Sequence, residues 1–227
     1  MGIESQLNWF GKLNRSTKTD LDLNWRDINY CVIDLETTGL DFRTDEIISI
    51  GAAQIQSGRV ITEENYYREV RPKLTPSPQS VRIHGIRAVD LENASPIEEV
   101  LPDFAEHLRE RVVVAHAAWV ENAFLKDRLE SVNLDFSKRL IDTASLARSC
   151  EVVEIDLDHE PSLEHLARTL NLPVYSPHHA LGDALTTAVI FLALATEIER
   201  RRLEKGSSVL TLRELIKLSE KSSRTQW

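Results

Sequence analysis

The stretch CVIDLETTGL, residues 31–40, begins as a buried strand and then carries two carboxylates. Its first three residues are apolar, and Asp34 and Glu36 follow two positions apart. Because alternate residues of a strand point to the same side, both carboxylates present their oxygens to one place. An ionised carboxylate is costly to bury unless a positive charge compensates it. Such a pair usually lies on an exposed sheet face, but the apolar strand before it and Thr-Thr-Gly after it favour a functional site.

The composition indicates a globular protein of one domain. The chain has 227 residues and is 42% hydrophobic, which suits a folded core and argues against disorder. We expect no membrane-spanning helix, because no apolar run looks long enough. The N-terminus lacks the apolar segment of a secretory signal. Two cysteines form neither a disulfide framework nor a zinc cluster. These observations together predict a cytoplasmic protein.

The net charge of −9, from 27 basic and 36 acidic residues, restricts how the protein can bind nucleic acid. It argues against a broad basic binding surface. It does not exclude an enzyme that holds a nucleic-acid end through metal ions, because bound cations reverse the sign of the local field.

The hydrophobic pattern predicts strands and helices in a mixed order. Strands are predicted at 30–35, 46–56, 60–72 and 112–115, the second and third joined by a hairpin turn at 57–59. Helices are predicted from Pro96 to about 108, at 119–132, from 161 to 170 and from about 181 to 205, and residues 140–150 are predicted to be a short strand that runs into a helix. Residues 74–86 and 151–160 are predicted to be loops. Three strands that can form a meander, followed by alternating helices and strands, predict a single α/β domain with helices on the faces of a mixed sheet.

The predicted domain has flanks at both ends. We expect an N-terminal extension at 1–29, the domain itself at 30–205 and a C-terminal tail at 206–227. The stretch LTLRELIKL in the tail is amphipathic, which suits a helix packed on its own domain or a partner site.

A second group of polar residues lies in PHHALGDALTTAVIFL, residues 177–192. Asp183 falls in the first turn of the long helix, where the helix dipole favours an anion. His178 lies five residues earlier, in the loop. Taken alone, Asp183 is as well explained by a carboxylate that caps the helix start as by a functional site. His178, taken alone, is better explained as an exposed loop histidine. His179 is expected to face solvent.

These motifs resemble the DEDD superfamily of 3'-to-5' exonucleases, in the branch that carries a histidine. The resemblance covers roughly residues 30–197. It rests on DLETTG at 34–39, on HHALGDA at 178–184, and on IHGI at 83–86, in the family's order. The resemblance implies an RNase H-like fold with a mixed five-stranded sheet flanked by helices.

One motif departs from the family pattern. Residues 115–125 read AHAAWVENAFL, with Glu121 where the family has Asp, Ala117 in place of Asn and Val120 in place of Phe. Glu keeps the charge but adds about 1.5 Å of reach. A carboxylate that binds Mg²⁺ directly has little freedom, so the outcomes range from ordinary activity through a slow enzyme to a binding or scaffold module without catalysis.

The resemblance implies a two-metal hydrolase. Two Mg²⁺ or Mn²⁺ ions would be held by Asp34, Glu36, Glu121 and Asp183, and His178 would act as the general base. The catalytic set would therefore be these five residues. The products would be nucleoside 5'-monophosphates released from single-stranded 3' ends.

The resemblance also implies where the terminal nucleotide is bound. The residues that it assigns to substrate binding are Thr37, Thr38, Leu40 and His84. His116 matches the family but is expected to be structural. Trp119 is more simply explained as a core residue than as a base-stacking one.

The identity of the substrate and of any partner stays open at this point. The TTG and HGI segments look more like the DNA-proofreading relatives, which favours DNA, while RNA 3'-end trimming remains the alternative. A polymerase or another protein is a possible partner. The oligomeric state is not predicted.

Overall fold

The computed structural model describes residues 20–134, 140–152 and 161–221. Most of the predicted N-terminal extension, the acidic stretch from 153 to 160 and the last six residues of the tail lie outside the described residues.

The described strands form one mixed five-stranded sheet, as predicted. Their order across the sheet is β3-β2-β1-β4-β5. The first three strands make an antiparallel meander, and β4 and β5 run parallel to β1. The bounds are β1 Tyr30–Thr37, β2 Ile47–Gln56, β3 Arg59–Glu69, β4 Val112–Ala115 and β5 Leu140–Asp142.

Helices cover both faces of this sheet. On one face, Phe191 of α6 lies in a core cluster that also contains Val32 of β1 and Ala53 of β2. On the other face, Phe104 of α2 and Leu125 of α3 lie in a second core cluster. The bounds are α1 Pro78–His84, α2 Ile97–Leu108, α3 Trp119–Glu130, α4 Thr143–Ser149, α5 Leu163–Thr169, α6 Ala180–Glu204 and α7 Leu212–Lys221.

The helix α6 corrects one prediction about membrane segments. Its 25 residues are long and apolar enough, by length and composition, to cross a membrane, and 61% of the apolar window is buried inside the structure. The expectation that no apolar run reaches this length was therefore wrong. The apolarity has a local cause, because α6 lies across β1, β2 and β3 and supplies much of the core on that face.

The predicted loop at 74–86 contains the helix α1. Ser77 caps it by accepting a hydrogen bond from the backbone N of Ser80 at 3.1 Å, Pro78 occupies its first turn, and Gly85 ends it with φ of 77°. The prolines and serines that suggested a loop are the residues that start a helix, since proline fits the first turn and serine satisfies a free N–H.

The described parts of both flanks pack on the domain. Asn24 forms an isolated bridge with Thr211, and Trp25 donates its backbone N–H to the carbonyl of Leu210 at 3.1 Å. Trp25 and Leu210 are both buried in the core beside Phe191. The amphipathic stretch forms α7, which packs against α4 and β5. The boundaries at 30 and 205 remain predictions.

Candidate active site

Three carboxylates converge at the end of β1. Asp34 and Glu36 project from that strand toward α6, and Asp183 comes from the first turn of α6. One oxygen of each lies within 4.8 Å of the others. The strand brings the first two together because they are two residues apart, and the packing of α6 on the sheet brings the third.

Asp183 is held by the loop that precedes its helix. Its Oδ2 accepts a hydrogen bond from the backbone N of His178 at 2.9 Å. Its Oδ1 is buried and has no hydrogen-bond partner among the described residues. Burial raises the pKa of Asp183 to about 6, although the His178 N–H opposes that shift.

Glu121 supplies a fourth carboxylate from the first turn of α3. Its side chain is only 3% exposed, and its Oε2 has no hydrogen-bond partner within the described part of the chain. Burial raises the pKa of Glu121 to about 8, and the charges of Asp142 and Glu36 act in the same direction. The carboxylate of Glu121 is therefore close enough to interact with the charges of Asp34 and Glu36.

The pKa values of Asp34 and Glu36 show how crowded the cluster is. Burial raises the pKa of Asp34 well above its usual range, and the charges of Glu121, Asp183 and Glu36 add to the effect. Burial, with repulsion from Asp183, raises the pKa of Glu36 to about 7. Such shifts are typical of carboxylates that lack a compensating cation.

The donor set fits hard divalent cations. It consists of carboxylate oxygens, which Mg²⁺ and Mn²⁺ prefer. The unpartnered buried oxygens of Glu121 and Asp183 offer lone pairs that the described residues do not use. A cation would neutralise the repulsion that raises the pKa values, as the sequence analysis predicted from the strand pair.

His178 lies beside this cluster in a left-handed conformation. Its φ is 59°, which is uncommon outside glycine. Its side chain is half exposed, and its Nε2 lies 3.7 Å from Oε1 of Glu164 in the first turn of α5. The structure thus brings the predicted base to Asp183 and adds a carboxylate that the sequence analysis did not single out.

The predicted substrate residues differ in how open they are. Leu40 is 71% exposed at the end of the TTG segment, whereas Thr38 is 1% exposed. The hydroxyl of Thr38 donates to Oδ1 of Asp45 at 2.8 Å and accepts from the backbone N of Glu46, and Thr37 donates to the carbonyl of Gly39 at 2.6 Å. These internal bonds argue against a nucleotide contact by the Thr38 hydroxyl and leave Leu40 as the open side chain of this group.

His84 ends α1 on the side of His178. Its Nδ1 accepts a hydrogen bond from the backbone N of Ile86 at 3.0 Å. Burial lowers the pKa of His84, and the nearby His178 acts in the same direction. Its Nε2 is buried without a hydrogen bond of ordinary geometry among the described residues, and the neighbouring backbone of Thr37 opposes the lowering of the His84 pKa.

The other histidines of the motifs have local roles. His116 bonds the hydroxyl of Thr143 at 2.9 Å and the carbonyl of Pro161 at 2.7 Å, which agrees with a structural role. His179 is exposed, as predicted, but its ring also stacks on that of Tyr67.

Two glycines that the sequence analysis passed over position the start of α6. A Cβ on Gly51, which pairs with Asp34, would lie 2.2 Å from the backbone of Ala180. A Cβ on Gly182 would lie 2.4 Å from the carbonyl oxygen of Tyr175. The sequence could have identified Gly51, because a glycine inside a predicted strand often indicates that another backbone segment approaches closely.

The chain matches known proteins over most of its length. The exonuclease family model RNase_T matches residues 31–191. A DNA polymerase III PolC-type protein of Thermotoga maritima is 36% identical over 196 residues, which is 86% of this chain and 14% of that protein. A 3'-5' exonuclease DinG of Staphylococcus haemolyticus is 29% identical over 85% of this chain and 20% of its own length. The chain thus spans a small part of these relatives.

A solved structure shares the fold. Exonuclease X, determined in complex with 5' overhanging duplex DNA, superposes with a TM-score of 0.62 and covers 84% of this chain and 99% of its own. The two chains are 23% identical, so this likeness concerns the fold alone.

Proposed function

This chain belongs to the RNase_T exonuclease family, and on that premise we propose that it is a metal-dependent 3'-5' exonuclease. It would release nucleoside 5'-monophosphates from single-stranded nucleic-acid ends, with DNA as the preferred substrate. The observation that carries the proposal is the convergence of Asp34, Glu36 and Asp183 within 4.8 Å, with Glu121 and His178 beside them.

The carboxylates would hold the divalent ions. The charges of Glu121, Asp183 and Glu36 all act on Asp34, which suits a ligand shared by two ions. Glu36 and Asp183 would complete one site, and Glu121 would support the other directly or through water. Bound Mg²⁺ or Mn²⁺ would supply Lewis-acid activation of water and stabilisation of charge on the phosphate oxygens.

His178 would accept the proton of the attacking water. A histidine is suited to this role near neutral pH. The backbone N–H of His178 bonds Asp183, so the loop that carries the base is tied to the metal ligand on α6. Glu164 would orient the imidazole from its other side.

The terminal nucleotide would lie between the TTG segment and the end of α1. Leu40 offers an exposed apolar side chain for a base, and the partly exposed ring of His84 would lie beside the nucleotide. Thr37 would contribute through its backbone, whereas the backbone groups of Thr38 are bonded to Glu46, Ser77 and Ser80. The sequence likeness to a polymerase III PolC-type protein supports DNA.

Glu121 supports an active enzyme over a scaffold module. Its side chain is buried and electrostatically coupled to Asp34 and Glu36. Burying a carboxylate costs free energy unless a positive charge compensates it. The burial of Glu121 therefore favours a bound ion at this position.

Location and partner belong to the same proposal. We expect a cytoplasmic protein, which the two buried free thiols of Cys31 and Cys150 support. Association with a polymerase is suggested by the PolC-type relatives.

The deciding experiment compares DNA and RNA oligonucleotides of one sequence, labelled at the 5' end. We expect a ladder of products shortened from the 3' end with Mg²⁺ or Mn²⁺, none with EDTA, and faster trimming of DNA. The variant Asp34→Ala is the control for contaminating nuclease. Equal products from this variant, or no products from the wild type with either metal, would refute the proposal, and faster trimming of RNA would assign the alternative substrate.

A further inference from the structure

A row of three residues crosses the sheet beneath the start of α6. Asp34 of β1 pairs with Gly51 of β2, and Gly51 pairs with Tyr67 of β3. All three lie on the α6 face, since Ala53, two residues after Gly51, belongs to the core on that side. The row joins a carboxylate of the site to an aromatic ring on the edge strand.

Gly51 lets the first turn of α6 rest directly on β2. An ideal Cβ at this position would lie 2.2 Å from the carbonyl carbon of Ala180 and 2.2 Å from the backbone N of Leu181. Ordinary van der Waals contact needs at least 3.4 Å. A side chain here would therefore push the turn away by about 1 Å, and Asp183 follows Leu181 by only two residues.

Tyr67 supports the same turn from the side. Its ring stacks on that of His179 with centroids 4.4 Å apart and planes 22° apart. His179 is the residue before α6 and the neighbour of His178 in the chain. The stack therefore fixes where the helix begins along the sheet, while Gly51 fixes how close it lies.

We propose that Gly51 and Tyr67 are positioning residues that seat the start of α6 and thereby hold Asp183 and His178 at their spacing from Asp34 and Glu36. The inference rests on the proposed metal-dependent function. A displacement of about 1 Å in such a constellation can lower a catalytic rate about a hundredfold. Neither residue is expected to contact the reacting atoms.

The test uses the variants Gly51→Ala and Tyr67→Leu in the full chain. Far-UV circular dichroism first establishes that each is folded. We expect the Mn²⁺-induced rise in melting temperature to fall to half or less, and the Mn²⁺ concentration for half-maximal hydrolysis to rise about tenfold. The KM for a single-stranded oligonucleotide should stay within about twofold, because the TTG segment and α1 are untouched.

Val60→Ala is the matched control. Val60 lies at the other end of β3, pairs with Ile55 and packs on the same core. It should lower the melting temperature without changing the Mn²⁺-induced rise. The same loss of Mn²⁺ response in this control would mean that general weakening of the core explains the effect, and the proposal would fall.

The other possible results also test the positioning role and the proposed function. Unchanged Mn²⁺ responses in both variants would overturn the positioning role, and if Gly51→Ala does not fold, the response of Tyr67→Leu alone decides it. A wild type that is stabilised by Mn²⁺ but hydrolyses nothing would refute the proposed function and leave the positioning role to the melting data. A wild type without any Mn²⁺ response would overturn both.

Discussion

The imidazole of His178 faces the carboxylate of Glu164, with Nε2 3.7 Å from Oε1. One residue comes from the loop before α6 and the other from the first turn of α5. A carboxylate beside a histidine can hold the imidazole ring in one orientation. Glu164 would therefore act through His178 without touching the substrate.

The variant Glu164→Gln should lower kcat about tenfold and leave KM within about twofold. The substitution weakens the orientation of the His178 imidazole but leaves the residues of the nucleotide site unchanged. Steady-state hydrolysis of a labelled oligonucleotide measures both parameters. Glu220→Gln, on the exposed side of α7, is the matched control and should behave as wild type. A change in KM with constant kcat would contradict this role.

Divalent metal should stabilise the folded protein. At a concentration one hundred times the Kd, bound ions add about 2.7 kcal/mol, which corresponds to a rise of roughly 5–10 °C in melting temperature for a chain of this size. Thermal unfolding with EDTA, Mg²⁺ and Mn²⁺ measures it. Asp34→Asn should abolish the rise. Equal melting temperatures of the wild type in EDTA and in millimolar Mn²⁺ would count against the metal site.

The metal-free protein should lose stability as the pH rises. The folded-state pKa values of Asp183, Glu36 and Glu121 are raised to about 6, 7 and 8. The folded state therefore binds more protons than the unfolded state, so stability is greatest below about pH 4 for these groups and is lost as pH rises toward 8. Because other groups unfold proteins in acid, the comparison is between variants.

In EDTA, the stability lost between pH 5 and pH 8 should be smaller for Asp34→Asn than for the wild type by about 2 kcal/mol, since removing one charge relieves the others. Urea unfolding at the two pH values measures the difference. Equal losses in both proteins would show that the cluster does not carry this repulsion.

Substitutions of Glu121 should separate charge from length. Glu121→Asp, which gives the residue usual in the family, should keep or raise kcat, whereas Glu121→Gln should lower it by about a hundredfold or more. Steady-state hydrolysis with Mg²⁺ and with Mn²⁺ measures both. An inert wild type that becomes active as Glu121→Asp would instead identify a binding module.

The backbone of Ala117 should limit stability. Its φ is 51°, a left-handed conformation that costs a residue with a Cβ about 1 kcal/mol. Ala117→Gly should therefore stabilise the protein by about that amount in urea unfolding. Ala118→Gly is the matched control, because Ala118 has φ of −54° and a buried side chain, and loss of its methyl group should destabilise the protein by about 1 kcal/mol. Opposite signs for the two variants are the expected result.

The same position shows what the sequence could reveal. The family's usual residue at 117, Asn, tolerates the left-handed region better than Ala does, so the left-handed turn is strained in this chain. The sequence alone did not disclose that strain, because φ is set by the junction of β4 and α3 and not by local propensity.

Much of the fold followed from periodicity. The two carboxylates of β1 lie two residues apart, and that spacing alone placed them together. Asp183 could be joined to them only through family resemblance, since its approach depends on how α6 packs. The prediction failed at α1, where proline and serine at a helix start were interpreted as loop residues.

Residues that act from a distance in sequence were the hardest to foresee. Glu164 reaches His178 across fourteen positions through the packing of α5 near α6, and no local pattern marks it. Gly51 was visible as a glycine within a strand, but its neighbour in space, Ala180, is known only from the folded chain.

The bridge between Asn24 and Thr211 brings the two flanks of the domain side by side. A fragment trimmed to residues 30–205 would lose this pairing together with the packing of α7 on α4 and β5, so the smallest stably folded unit should include both flanks.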